Sequence, residues 1–153
     1  MQIREGGLDH TQVIALLREH AEAMTAQSPQ GMCHFLDLDA LRGRDITFLS
    51  AWEEDALLGC GALKTLNEEA GEIKSMRTAS SAQRRGVARD LLHHIEQLAR
   101  AQGLRQLSLE TGCGPAFEPA LALYRANGFQ EGDPFGDYEA TAFNRYFHKA
   151  LEN

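Results

Sequence analysis

Lysine, cysteine and long apolar runs are all scarce in this chain, and each scarcity removes a class of function. Three lysines and 22 acidic residues in 153 leave a net charge of −7 at pH 7. Non-specific affinity for nucleic acid needs clustered Lys and Arg, so no nucleic-acid partner is expected. The three cysteines, Cys33, Cys60 and Cys113, are odd in number and widely spaced. That pattern argues for free thiols in a reducing compartment, against a disulfide framework or a zinc site, and no metal is expected. Apolar runs are short, so no membrane-spanning helix is expected, and the first residues lack the basic-then-apolar pattern of a signal segment. A cytoplasmic protein without a membrane partner is the expectation. Three motifs are missing as well: the P-loop Gly-x-x-x-x-Gly-Lys-Ser/Thr, the triple-glycine dinucleotide fingerprint and the Gly-x-Ser-x-Gly nucleophile elbow.

What remains is enough for one domain, 1–153, with a real core. A short strand is predicted at 2–4. Asp9 or Thr11 can cap a helix running to Met24, with Val13, Ile14, Leu17, Ala21 and Met24 on its apolar face. Ser28-Pro29-Gln30-Gly31 breaks the chain before a short helix over 35–42. Strands at 45–53 and 56–66 form a hairpin, and a third strand follows at 72–78. A helix from about 87 to 102 carries the apolar stripe Ala88, Leu91, Leu92, Ile95, Leu98 and Ala99, and Gly103 stops it. A strand at 106–110, a Gly/Pro-rich loop, a helix at 117–127, a strand from Phe129, a polar loop at 132–138 and a last strand at 143–151 complete the order.

The most informative stretch is Gln83-Arg84-Arg85-Gly86-Val87-Ala88, a polar loop between a strand and the most amphipathic helix. The first N–H groups of a helix lack intrahelical partners, and with the helix dipole they favour an anion. Gly86 lets a phosphate approach the backbone, Ala88 keeps the next turn small, and Arg84 and Arg85 add charge. This predicts a pyrophosphate cradle. An ordinary capped helix explains the arginines, but not a glycine inside the first turn, which costs about 1 kcal/mol relative to Ala.

The pattern Gln/Arg-x-x-Gly-x-Gly/Ala between strand and helix resembles the acetyl-CoA-binding motif of the GNAT superfamily of N-acetyltransferases. A second segment, Ala120-Leu121-Ala122-Leu123-Tyr124-Arg125-Ala126-Asn127-Gly128-Phe129, is similar to the family's Ala-x-x-Leu-Tyr-x-x-x-Gly-Phe. Stretches such as Gly71-Glu72-Ile73-Lys74-Ser75-Met76-Arg77-Thr78 extend the likeness over nearly the whole chain, to a small bacterial branch. Ala88 in place of the usual last glycine is an accepted variant. The resemblance implies an α/β (α+β) GNAT fold. Its central, mostly antiparallel mixed sheet has about six to seven strands, flanked by about four helices, in the order β-α-α-β-β-β-α-β-α-β-β. It also implies that the strands at 72–78 and 106–110 splay into a slot for the pantetheine arm.

Further expectations follow from the resemblance. Acetyl-CoA is the co-substrate. It lies against the segment Met76-Arg77-Thr78, through main-chain groups of Met76 and Thr78, and against the loop Gln83, Arg84, Arg85, Gly86, Val87 and Ala88. Arg89 reaches the adenosine phosphate or faces solvent, and Asn127 contacts pantetheine or, preferably, caps its helix. Tyr124 is the general acid on the departing thiolate; a packed tyrosine bonded to backbone is the alternative. Glu72 is the candidate base that deprotonates the ammonium, with Glu110 the alternative. Strand alternation puts Glu72, Lys74 and Met76 on one face and Ile73, Ser75 and Arg77 on the other. His20 lines the acceptor pocket or is a satisfied, semi-buried histidine. Gly59-Cys60-Gly61 is a closely packed strand interior and no nucleophile. The leading function is acetyl transfer to a primary amine of a small molecule by direct attack in a ternary complex. Acetylation of a protein lysine or N-terminus, and a non-catalytic acetyl-CoA-binding module, are the alternatives. A homodimer paired through the last strand is a further expectation.

Overall fold

The computed structural model describes residues 1–28 and 38–152. Among these, seven strands and four helices follow in the predicted order: β1 (Gln2–Glu5), α1 (Thr11–Gln27), α2 (Leu38–Leu41), β2 (Ile46–Glu53), β3 (Ala56–Thr65), β4 (Ala70–Thr78), α3 (Val87–Ala101), β5 (Gln106–Thr111), α4 (Glu118–Ala126), β6 (Gln130–Gly132) and β7 (Arg145–Ala150). The strands form one sheet in the order β1-β2-β3-β4-β5-β7-β6. Every neighbouring pair is antiparallel except β4 and β5. No helix among the described residues is long and apolar enough to cross a membrane.

Alternation along the strands sends apolar side chains to two separate cores. Leu49, Ala51, Leu58, Leu63, Ile73, Leu107, Leu109 and Phe147 join the stripe of α3 and Leu121 and Tyr124 of α4. Phe48, Trp52, Leu57, Cys60 and Ala62 face the other way, against Val13 and Leu16 of α1 and Leu41 of α2. The sheet is thus a partition with one helix pair on each side.

Several boundaries differ from expectation for local reasons. His10, not Asp9 or Thr11, caps α1: its Nδ1 accepts from the Gln12 amide at 3.1 Å, and the helix runs on to Gln27. Of the break and short helix predicted over 28–42, residues 29–37, which include Cys33, lie outside the described residues, and α2 covers the remainder. Phe129 is buried just before β6, which is short and exposed. The last strand has no edge left for a partner subunit, because β5 and β6 take both sides of β7. That removes the expected route to a homodimer.

Two glycines set how closely α3 approaches. A Cβ on Gly59 would lie 2.8 Å from the Arg77 carbonyl oxygen and 3.0 Å from Val87 Cγ1; one on Gly61 would lie 2.5 Å from Met76 Sδ. The far end of α3 is tied down by Glu96, a buried carboxylate that accepts from Lys149 Nζ at 3.0 Å. The same ammonium donates to the Asn127 carbonyl at 2.7 Å, joining the ends of α3, α4 and β7. Breaking such a buried pair would strand a charge. Gly59→Ala is expected to cost about 1–3 kcal/mol through overpacking, lowering Tm by roughly 2–12 °C for a domain of this size. A thermal melt checks this; an unchanged Tm would mean that α3 does not press on β3 at this point.

Candidate active site

The parallel pairing of β4 and β5 is brief. Ala70, Gly71 and Glu72 oppose Gln106, Leu107 and Ser108, and then the strands part while both continue. The cleft between them is lined by Ile73, Ser75 and Met76 from β4 and by Glu110, Thr111 and Gly112 at the end of β5. Phe117, Ala120 and Tyr124 close it from the α4 side, and His20 and Met24 of α1, with Tyr138 and Phe143, from the other. The sequence expected this slot between these two strands.

A bulge in β4 redirects its side chains. Cys60 opposes Arg77 and Ala62 opposes Lys74, so Gly61 faces both Ser75 and Met76, and Ser75 takes φ +58°. The extra residue reverses alternation beyond it. Met76 therefore packs with Ile73 into the α3 core, and Arg77 joins Lys74 on the α1 side, opposite to the predicted faces. Past the bulge, the Ala79 N–H donates to the Leu58 carbonyl at 2.8 Å on the β3 side. Alternation then turns the main-chain groups of Met76 and Thr78 toward the gap and those of Arg77 toward β3. The Arg77 side chain reaches Glu19 at 3.3 Å on α1, away from the other loop residues named as cofactor ligands.

Beyond β4, a helical turn over Ser80–Ala82 leads into the loop. Arg84 adopts φ +66° and Gly86 φ +80°. Gly86 is thus the left-handed N-cap of α3 and not a residue inside its first turn, which is why glycine suits it. No side chain caps the helix, and its first internal bond runs from the Asp90 amide to the Gly86 carbonyl at 3.0 Å. The N–H groups of Val87, Ala88 and Arg89 consequently have no acceptor among the described residues. Gln83, Arg84, Arg85 and Arg89 are exposed around them, and Arg85 pairs with Glu53. Amides without an acceptor, left-handed backbone and unburied guanidinium groups are the ingredients of an anion site. Asn127 caps α4, its Nδ2 donating to the Leu123 carbonyl at 2.7 Å, while its Oδ1 meets His93 at 3.0 Å.

The catalytic candidates converge on the cleft. Tyr124 is buried in α4, its ring packed against Phe129 and Phe147. Its hydroxyl has no hydrogen-bond partner among the described residues, so a packed tyrosine bonded to backbone does not describe it. Burial, then the negative charge of Glu110, push its pKa up to about 12. Glu72 and Glu110 sit on the opposite face. Glu72 is almost fully buried; its Oε2 accepts from Lys74 Nζ at 3.2 Å and from the Tyr138 hydroxyl at 2.6 Å. Glu110 accepts from Asn144 Nδ2 at 2.7 Å, and Asn144 is itself buried. Cys60 is no nucleophile: burial raises its thiol to about 12.

Sequence reasoning missed Tyr138 and Asn144 as partners of these carboxylates. Asn144 is set by Thr141, whose Oγ1 accepts its amide at 2.9 Å, so Thr141-x-x-Asn144 ahead of a strand was the available signal. For Tyr138 the only local signal was an aromatic residue in a loop rich in Gly, Pro and Asp.

His20 has its Nδ1 buried without a partner among the described residues, beside Arg77, whose Nε is in the same state. Desolvation, then the Arg77 charge, lower its pKa to about 4. Between that value and the unfolded value of about 6.5, the unfolded chain binds the proton and the folded one does not. Stability is therefore undiminished above pH 6.5 and falls as pH drops toward 4, by on the order of 3 kcal/mol. Replacing His20 by Gln is expected to flatten the Tm-against-pH curve across this window. Equal slopes in the two proteins would contradict a neutral, buried His20.

The comparisons with known proteins agree with this geometry. The model of the acetyltransferase (GNAT) family matches residues 13–129. The chain is 51% identical over 151 residues to the uncharacterised N-acetyltransferase YsnE of Bacillus subtilis (strain 168), covering 99% of this chain and 100% of that one. Among solved structures, a protein assigned as an acyl-CoA N-acyltransferase from Klebsiella pneumoniae superposes with a TM-score of 0.83 at 25% identity, over 99% of this chain and 97% of that one. A GNAT family acetyltransferase from Elizabethkingia anophelis, solved with acetyl-CoA bound, shares the fold at a TM-score of 0.67 and 18% identity, over 98% of this chain and 97% of that one. A bulged, parting strand pair, an uncapped helix behind a Gln-Arg-Arg-Gly loop and this match across most of the chain lead to one conclusion: the protein belongs to the GNAT family of acetyltransferases.

Proposed function

We propose that this GNAT enzyme moves the acetyl group of acetyl-CoA to a primary amine of a small molecule, by direct attack within a ternary complex. The observation that carries this reading is the unpartnered Tyr124 hydroxyl in the gap between β4 and β5. The residues present suit the cofactor. Amides of Val87, Ala88 and Arg89 take the pyrophosphate, with Arg84 and Arg85 adding charge-assisted bonds. Main-chain groups of Met76 and Thr78 take the pantetheine in the manner of a missing strand, and Arg89 extends over solvent toward the adenosine end. A small acceptor is favoured because α1 and the loop bearing Tyr138 and Phe143 cover the far mouth of the cleft, leaving little room for an extended peptide.

The chemistry needs two proton movements. An ammonium must lose a proton before its nitrogen can attack the thioester carbonyl. Glu110 is the assigned acceptor, because it ends β5 at the cleft with a neutral amide, Asn144, as a partner, whereas Glu72 Oε2 is held by the Lys74 ammonium as well as by Tyr138. The new C–N bond forms, the tetrahedral adduct collapses, and the C–S bond breaks with the electron pair leaving on sulfur. Tyr124 donates its O–H to that sulfur and is reprotonated as the adduct nitrogen sheds its second proton. One proton reaches solvent per turnover.

A hydroxyl with a pKa of about 12 is a weak acid beside an ordinary thiol near 8.5. A thiolate leaving beside the buried Tyr124 and the charge of Glu110 would be made more basic by the same two effects. The match is kept, and Tyr124 stays protonated at any working pH.

Thiol release from acetyl-CoA across amino acids, polyamines, aminoglycosides and peptides tests the acceptor class. Release with a small amine is expected; release with peptides alone would shift the function to protein acetylation, and binding without release to an acetyl-CoA-binding module. With an active amine, Tyr124→Phe is expected to lower kcat ten-fold or more with a smaller change in the KM for acetyl-CoA. An unchanged kcat would remove Tyr124 from the mechanism.

A further inference from the structure

On the acceptor side of the sheet, three polar groups from two distant parts of the chain close a small ring. Lys74 Nζ donates to Glu72 Oε2 at 3.2 Å and to the Tyr138 hydroxyl oxygen at 2.9 Å, and that hydroxyl donates to the same Glu72 oxygen at 2.6 Å. The ammonium also lies 5.6 Å from the centre of the Tyr138 ring. Side chains of both β4 partners are nearly inaccessible, at 9% for Lys74 and 5% for Glu72. Tyr138 comes from the loop between β6 and β7, 66 residues from Glu72. Its ring is held edge-on by Phe135, which also packs on Tyr146 and His148 above β5 and β7.

We propose that Tyr138 is a positioning residue for the acceptor amine: with Lys74 it holds the Glu72 carboxylate in one place and so pins segment 133–144 over the mouth of the cleft. The proposal rests on the acetyl-transfer reading of that cleft. A buried carboxylate holding two donors, one of them charged, is costly to protonate or to strip of a partner. Glu72 is therefore held by both donors on the side of the cleft that the acceptor amine enters. Burial, then the bond to Glu72 and its charge, push the Tyr138 hydroxyl well above the usual tyrosine range, so it remains a donor. The other charged or titratable groups around the ring are Lys64 opposite Glu72 on β3, Glu110 on β5, Tyr146 on β7 against the Tyr138 ring, and Arg77, Glu19 and His20 on the α1 side. Pinning matters because the same segment carries Phe143, against the edge of Phe117 at the cleft floor, and Asn144, which holds Glu110. A single hydroxyl thus couples the lid, one carboxylate and, through the loop, the other.

Tyr138→Phe keeps the ring and deletes only the hydroxyl. Its expected effects are a ten-fold or greater rise in the KM for the amine, a smaller change in kcat and in the KM for acetyl-CoA, and faster amide hydrogen exchange in 133–144. The Tyr138 amide, bonded to the Phe135 carbonyl at 3.1 Å, is the most direct reporter. Glu72→Gln, which keeps shape but not charge, is expected to speed the same exchange. Unchanged exchange in both folded variants overturns the pin, whether or not any amine turns over. Faster exchange with an unaltered amine KM overturns the positioning role. A wild-type enzyme that releases thiol with no amine at all overturns the acceptor reading itself, and exchange then still decides the pin.

Discussion

Two strands that pair for three residues and then separate leave main-chain N–H and C=O groups facing a gap in the middle of a sheet. Backbone groups shielded from water need partners, and no strand among the described residues supplies them there. The rest of the molecule follows from that opening. The bulge at Ser75 bends β4 away from β5 and sends Met76 into the α3 core, so the departing strand stays anchored along one face. Gly59 and Gly61 let α3 settle on β3, which brings its uncapped N-terminus to the end of the gap.

The sheet also separates two chemistries. On the α3 and α4 side the gap is lined by Ile73, Met76, Phe117 and Ala120, and Tyr124 enters it with a hydroxyl that has no partner among the described residues. On the other side Glu72, Lys74, Glu110 and Tyr138 form a polar surface in which each carboxylate has a donor from the loop before β7. A thioester approaching from the first side and an ammonium from the second would meet at the cleft. Burial is the main cause that raises the pKa values of Tyr124 and Tyr138, and the charge of Glu110 adds to it at both. One charge thus acts on both sides of the cleft.

Periodicity made much of this legible. The apolar stripe of α3, the hairpin of β2 and β3, and Gly103 as a helix stop depend on neighbours in sequence, and the element order followed from them. The Gln83–Ala88 loop was readable because its chemistry is local as well, although Gly86 proved to cap the helix and not to sit within it. Ser75 gave no warning: a serine at φ +58° looks like any strand residue, so Met76 and Arg77 were assigned to the wrong faces. The partners of Glu72 and Glu110 come from residues 66 and 34 positions away. Contacts of that range leave no periodic trace, and a tyrosine or an asparagine in a polar loop has ordinary local explanations.

The central claim is that the end of α3 and the open edge of β4 hold acetyl-CoA by main-chain groups. Calorimetric titration with acetyl-CoA and with S-acetylpantetheine, which lacks the pyrophosphate, tests it most directly, with amide exchange read on both complexes. The expected result is binding of acetyl-CoA with protection of the Val87, Ala88 and Arg89 amides, and an affinity for the truncated compound weaker by 100-fold or more. Equal affinities, or acetyl-CoA binding that leaves those three amides unprotected, would contradict it.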